Sequence, residues 1–204
     1  MKRRSSLFLG GGAVIILAVG CFLFEQAFLD FPDIQPPPPP KGEVLSPASL
    51  ASDERIVIDY RIDGCRGGYH WIFQLTGAPD RRLAIIDAGD SWGGDRFQTG
   101  KPEPIGALVL SDTDCRGVQD LIACFRKEGG QHNSTAFVSL KLEYFRGLEK
   151  IGEESFTDDG SIDRSIYDRD HAGESPWRPK IIISPEMLSL PQLVQRAAEE
   201  ANGE

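Results

Sequence analysis

Apolar and polar residues alternate from Arg55 to Ile62, with Ile56, Ile58, Tyr60 and Ile62 on one side and Arg55, Asp59 and Arg61 on the other. That period of two predicts a half-buried strand. The pattern returns after a glycine-rich turn at Gly64–Gly68, where Tyr69, Trp71, Phe73 and Leu75 share a face. Arg82–Asp87 predicts a third strand and Gly106–Leu110 a fourth. From Phe137 to Phe145, Val138, Leu140, Leu142 and Tyr144 oppose Ser139, Lys141 and Glu143. Arg146-Gly147 then turns the chain into a strand ending near Phe156, and the short apolar run Lys180–Ser184 reads as a central strand. Alternation in most of these segments predicts an antiparallel sheet with one covered face.

The period changes after Leu110. Ser111 with Asp114 three residues on is a capping-box pattern, and Leu110 is placed to staple against Cys115. Val118, Leu121, Ile122 and Phe125 follow at helical spacing, Arg126 and Lys127 suit the last turn, and Gly129-Gly130 ends the helix. A second helix is expected from Pro191 to Ala201, with Leu193, Val194 and Ala197 as its stripe. The fold class is α+β: a mainly antiparallel sheet with one helix packed on one face and a C-terminal helix, behind an N-terminal membrane helix.

That membrane helix rests on a different pattern. Met1-Lys2-Arg3-Arg4 is basic, and Leu7 to Phe24 contains no charged or amide side chain. Eighteen residues rise about 27 Å as a helix, enough for a bilayer core. The basic cluster holds the amino terminus in the cytoplasm, so the rest is expected to be extracytoplasmic. Three endings stay open. Residues 1–29 are an uncleaved anchor, or Ala18-Val19-Gly20 is a cleavage site, or Cys21 carries lipid after a lipobox-like Leu17–Gly20. Residues 30–50, with Pro36 through Pro40 unbroken, read as a stiff spacer. Residues 51–204 read as one extracytoplasmic domain, long enough to bury a core of its own.

Charge narrows the partners. Beyond the basic cluster stand 19 basic against 31 acidic side chains, a formal charge of −12. Such a surface repels phosphate backbones, which argues against nucleic acid. The expected partners are the membrane, through the N-terminal helix, and an envelope protein or glycan.

The chemistry-bearing residues are sparse. Cys115 and Cys124 on one helix are too far apart to bond, so the expected disulfide is Cys65–Cys115 with Cys124 free; the alternative is that all three are reduced and packed. No CxxC motif is present, and no cofactor fingerprint or catalytic signature. His70, five residues from Cys65, makes a conceivable cysteine–histidine nucleophile pair. Asp87–Gly100 carries Trp92 among glycines, where it can stack on a sugar ring with Asp90 and Asp95 as hydrogen-bonding carboxylates. Thr157–Glu174 is dense in carboxylates and reads as a solvated loop. Its Asp168–Gly173 start resembles a calcium loop, but position five is Ala172 and position twelve Pro179, so no metal is expected. The leading expectation is a membrane-tethered, non-enzymatic binding module; the alternative is an envelope hydrolase using carboxylates or the Cys65/His70 pair.

Overall fold

Among the described residues seven strands form one sheet in the order β1-β7-β6-β2-β3-β4-β5, every neighbouring pair antiparallel. They are β1 (Lys41–Gly42), β2 (Glu54–Asp63), β3 (Tyr69–Thr76), β4 (Arg82–Asp87), β5 (Glu103–Val109), β6 (Phe137–Arg146) and β7 (Glu149–Asp158). Among the described residues three α-helices accompany them: α1 (Asp112–Glu128), α2 (Ser161–Asp170) and α3 (Leu190–Asn202). The computed structural model describes residues 36–63, 68–89, 102–130, 137–171 and 181–203. All belong to one unit, Gln35–Glu204.

The alternation sets the register. On the inner face Ile58 sits between Phe73 and Leu142, and Ile56 between Leu75 and Tyr144. Leu83 lies between Leu75 and Leu108. All of these are fully buried, and they share one core with Val118, Leu121, Ile122 and Phe125 of α1, Ile162 and Ile166 of α2, and Leu193 and Ala197 of α3. A one-residue slip of any strand would turn that strand's inward residues to solvent, so the pairing is specified by the pattern.

α1 starts as the sequence predicts. The Ser111 hydroxyl accepts from Asp114 N–H at 3.1 Å, and the Asp114 carboxylate accepts from Ser111 N–H at 3.0 Å. α3 lies close on β5 because Gly106 has no side chain; a Cβ there would meet the Ala197 carbonyl at 2.7 Å. Among the described residues no helix is long and apolar enough to cross a membrane, and Leu7–Phe24 lies outside them.

Three expectations are corrected. The acidic segment after Thr157 is not a solvated loop: β7 runs through Asp158, and residues 161–170 are α2. Asp158 is buried and caps that helix, accepting from Ile162 N–H at 3.1 Å and from the Ser161 hydroxyl at 2.8 Å. The run ending at Ser184 is not a strand over its described residues, 181–184. Ile181 and Ile183 pack on the core, but Ile182 is fully exposed and Pro185 follows. Inward-outward alternation is present there without a ladder partner, which a short apolar run cannot reveal by itself.

The third concerns residues 30–50, whose second half is built into the domain. Leu45 and Leu50 are buried in the core, and Ser46 Oγ donates to Gln119 Oε1 at 2.6 Å. β1 pairs with β7, Lys41 opposite Glu153 and Gly42 opposite Gly152, and Glu43 N–H donates to the Ile151 carbonyl at 2.9 Å. The two backbones approach closely through glycines. A Cβ on Gly42 would lie 2.2 Å from the Ile151 carbonyl, and one on Gly152 2.0 Å from that of Glu43. Before β1, Pro37 and Pro38 line a cleft of about 150 Å³ with Ser155, Phe156 and Thr157 of β7. The tract thus borders the end of β7, and prolines, which donate no N–H, suit such an edge.

Candidate functional site

The sheet has two ends of different character. At one, tight turns join β3 to β4 and β6 to β7. At the other, Ile62 pairs with Tyr69, Asp63 with Phe137, Asp87 with Trp71 and Glu103, and Val138 with Asp158. The strand ends flanking 64–67, 90–101 and 131–136 all belong to this second end. Cys65, Asp90, Trp92 and Asp95 themselves lie outside the described residues.

Three aromatic rings stack there. Trp71 lies parallel to Tyr60, 6.2 Å between centroids and 5° between planes, and Tyr69 stacks on Trp71 at 5.1 Å and 12°. Exposure rises along the stack. Tyr60 is fully buried, Trp71 half-buried, and Tyr69 is 57% exposed. The strand period puts all three on the inner face, but Tyr69 and Trp71 begin β3, where core gives way to solvent.

A polar cluster sits at the buried end of the stack. The Tyr60 hydroxyl donates to Asp163 Oδ2. Burial pushes the Asp163 carboxyl up to about 6, against the Tyr60 hydrogen bond, which lowers it, and with the nearby Asp158 charge raising it further. Burial likewise pushes the Tyr60 phenol well above its usual value, helped by Asp163. Near neutrality the phenol therefore keeps its proton, and Asp163 is the group that titrates.

His70 is on the opposite face. Its Nε2 lies 2.9 Å from Asp59 Oδ1, across β2 and β3. That contact orients the ring as an acid-base pair requires, which sequence spacing did not show. Further along this face the charges are mutually neutralised. Glu143 accepts from Lys141 and Lys150, each at 2.8 Å, and Glu153 from Lys150 at 2.6 Å and Lys41 at 3.1 Å. These hydrogen bonds hold the Glu143 carboxyl low and the Glu153 carboxyl at about 2.

The helix cysteines are buried, free thiols. Burial pushes the Cys115 thiol up and that of Cys124 to about 11, so both stay protonated and unreactive at neutral pH. Cys115 sits beside the Leu110–Arg81 corner, at the tight-turn end. Asp63, which leads into residue 65, is at the other end, so the sheet does not bring the described flank of Cys65 toward Cys115. Asp168 and Asp170, from the calcium-like motif, lie on α2; Asp170 pairs with Arg169 at 2.7 Å and accepts from Gln192 at 2.7 Å.

Sequence reasoning missed Tyr69 and Trp71 as a surface, assigning them to the core by period alone. A signal was present: both open a strand directly after a glycine-rich turn, where burial tapers. For Asp163 no sequence signal existed, because its partner Tyr60 is distant along the chain. Comparison with protein-family models, curated proteins and solved structures finds no match for this chain.

Proposed function

We propose that this chain is a membrane-tethered extracytoplasmic module that binds an envelope protein or glycan without performing chemistry. The supporting observation is the graded aromatic stack, in which Trp71 fixes the Tyr69 ring while most of Tyr69 stays open to solvent. A ring held in place from behind offers a flat apolar face at little further loss of side-chain freedom, which suits a sugar ring or an apolar side chain. The cleft beside the proline tract is lined by no carboxylate, which also sits better with binding than with hydrolysis. The N-terminal segment supplies the tether in this reading.

The test is affinity with and without that ring. Full-length protein in detergent, titrated with N-acetylglucosamine oligomers and used in parallel to capture proteins from host membranes, is expected to retain one ligand. Tyr69→Ala should weaken that retention roughly fivefold to tenfold, the value of about 1 kcal/mol of stacking. Its melting temperature should barely move, because Tyr69 is mostly exposed. Equal retention by the variant would remove the stack from the binding surface.

One observation favours an envelope hydrolase as a second reading: Asp59 orients His70, five residues from Cys65. Under that reading His70→Ala abolishes turnover of a nitrophenyl ester or anilide panel. Under the binding reading there is no turnover to lose.

A further inference from the structure

We infer that the cleft between the proline tract and β7 takes the carboxy-terminal residue of a partner protein, held by the Ser155 backbone and by Lys141. This rests on reading the chain as a binding module, but on a site apart from the ring stack.

The cleft exists because prolines cannot extend β1. Glu43 N–H donates to the Ile151 carbonyl at 2.9 Å and Gly130 N–H to the Thr157 carbonyl at 2.8 Å, so Ile151 and Thr157 turn their backbone groups away from β6. Direction repeats every second residue along a strand, which points the Ser155 N–H and C=O outward as well. The register of β1, with Lys41 opposite Glu153, would set Pro39 opposite Ser155. Pro39 has no N–H to give, and the tract leaves the ladder. Among the described residues nothing bonds the outward N–H and C=O of Ser155. They face a cleft of about 150 Å³, walled by Pro37 and Pro38.

Length and chemistry identify the occupant. β1 closes the edge on one side at Glu153, and Gly130 closes it on the other at Thr157, leaving room for one residue and not for a strand. One extended residue carries the matching pair: its own N–H donates to the Ser155 carbonyl, and its carboxyl oxygen accepts from Ser155 N–H. The rest of the lining is rich in donors, with the Ser139 and Ser155 hydroxyls and the Lys141 ammonium, and contains no carboxylate. A free α-carboxylate suits these donors, whereas an amino terminus would bring its charge against Lys141. Lys141 is available for this. It donates to Glu143 at 2.8 Å, but Glu143 also accepts from Lys150 at 2.8 Å and so keeps a cation when Lys141 turns to the ligand.

The test uses the full-length chain in a sugar-free detergent and saturation-transfer NMR. The probes are N-acetyl-L-alanyl-L-alanine and the same peptide with its carboxyl amidated. The acid is expected to bind with a Kd on the order of 1 mM and the amide at least roughly tenfold more weakly. Lys141→Gln, at an exposed side chain, should narrow the gap between the two. Ser155→Pro, which removes the outward N–H, should abolish binding of the acid. Ser155→Ile, which fills the cleft from an exposed position, should do the same and decides the matter if the proline variant fails to fold. Equal binding of acid and amide, or acid binding that survives Ser155→Ile, would overturn the inference. Displacement of the peptide by N-acetylglucosamine at equal concentration would overturn the choice of a protein terminus. No binding of either peptide would remove the cleft alone, since the Tyr69→Ala measurement uses other ligands and stands separately.

Discussion

Arg126→Ala is expected to destabilise the fold by about 3 kcal/mol, the low end of the range for breaking a buried ion pair. Glu154 lies on the inner face of β7 with its side chain 3% exposed. Arg126 Nε donates to both of its oxygens at 3.1 Å, and Nη2 to Oε2 at 2.7 Å. Tyr144 Oη adds a donor at 2.7 Å and itself accepts from Arg126 Nη2 at 3.1 Å. Without the guanidinium, a buried carboxylate keeps one donor. The low end applies because the Arg126 side chain is 36% exposed, so water partly replaces it. In thermal melts this is a fall of roughly 6 to 12 °C for a domain of this size. Combining Arg126→Met, Glu154→Leu and Tyr144→Phe should recover most of the loss, since it removes the charge as well as its partner. A loss below about 1 kcal/mol for Arg126→Ala would mean that solvent already screens the pair.

Asp163→Asn should stabilise the protein at neutral pH and flatten its pH profile. The folded carboxyl titrates at about 6, above its usual 3.8. Below about 4 it is protonated in both states and stability is unaffected. As pH rises from about 4 to about 6 the unfolded state releases its proton while the folded state resists, so stability falls. Above about 6 the loss is complete, on the order of 2 to 3 kcal/mol. Asparagine cannot ionise, and its side-chain oxygen still accepts from the Tyr60 hydroxyl. The variant should therefore match wild type near pH 4 and exceed it progressively up to pH 6 to 7, in urea unfolding at a series of pH values. Parallel profiles for the two proteins would show that Asp163 is no more buried in effect than a surface carboxylate. The same measurement bears on the candidate site, because Asp163 holds Tyr60 and Tyr60 backs the ring stack.

Much of the fold was legible because its signals are local. Period two over Arg55–Ile62 and Phe137–Phe145 reflects the alternation of side chains across a pleated strand, and those segments became the sheet centre, β2 and β6. The Ser111–Asp114 cap and the Gly129 stop are likewise satisfied within a few residues, and the helix ends where they place it. The failures share a cause of the opposite kind. Residues 161–170 look like part of an acidic loop until Asp158 is seen to be buried as a helix cap and Asp163 to be bonded to Tyr60, 103 positions away. The stretch from Lys41 to Leu50 looks like linker until β7 offers it an edge. Ile181–Ser184 has the composition of a strand but no ladder partner among the described residues.

The amino-acid sequence by itself determined the α+β class, the antiparallel pairing and the inner face, because burying one side of each alternating strand leaves a single register in which the core is dry. Only the tertiary structure decided which polar groups entered that interior. Glu154, Asp158 and Asp163 are hydrophilic by type, yet the first two are buried and the third half-buried, each where a partner from another element meets it: Arg126, the α2 N-terminus and Tyr60. It also decided which strands stand at the two ends of the sheet, β1 and β5. Edges are a property of strand order, and strand order arises from long-range contacts that no window of residues contains.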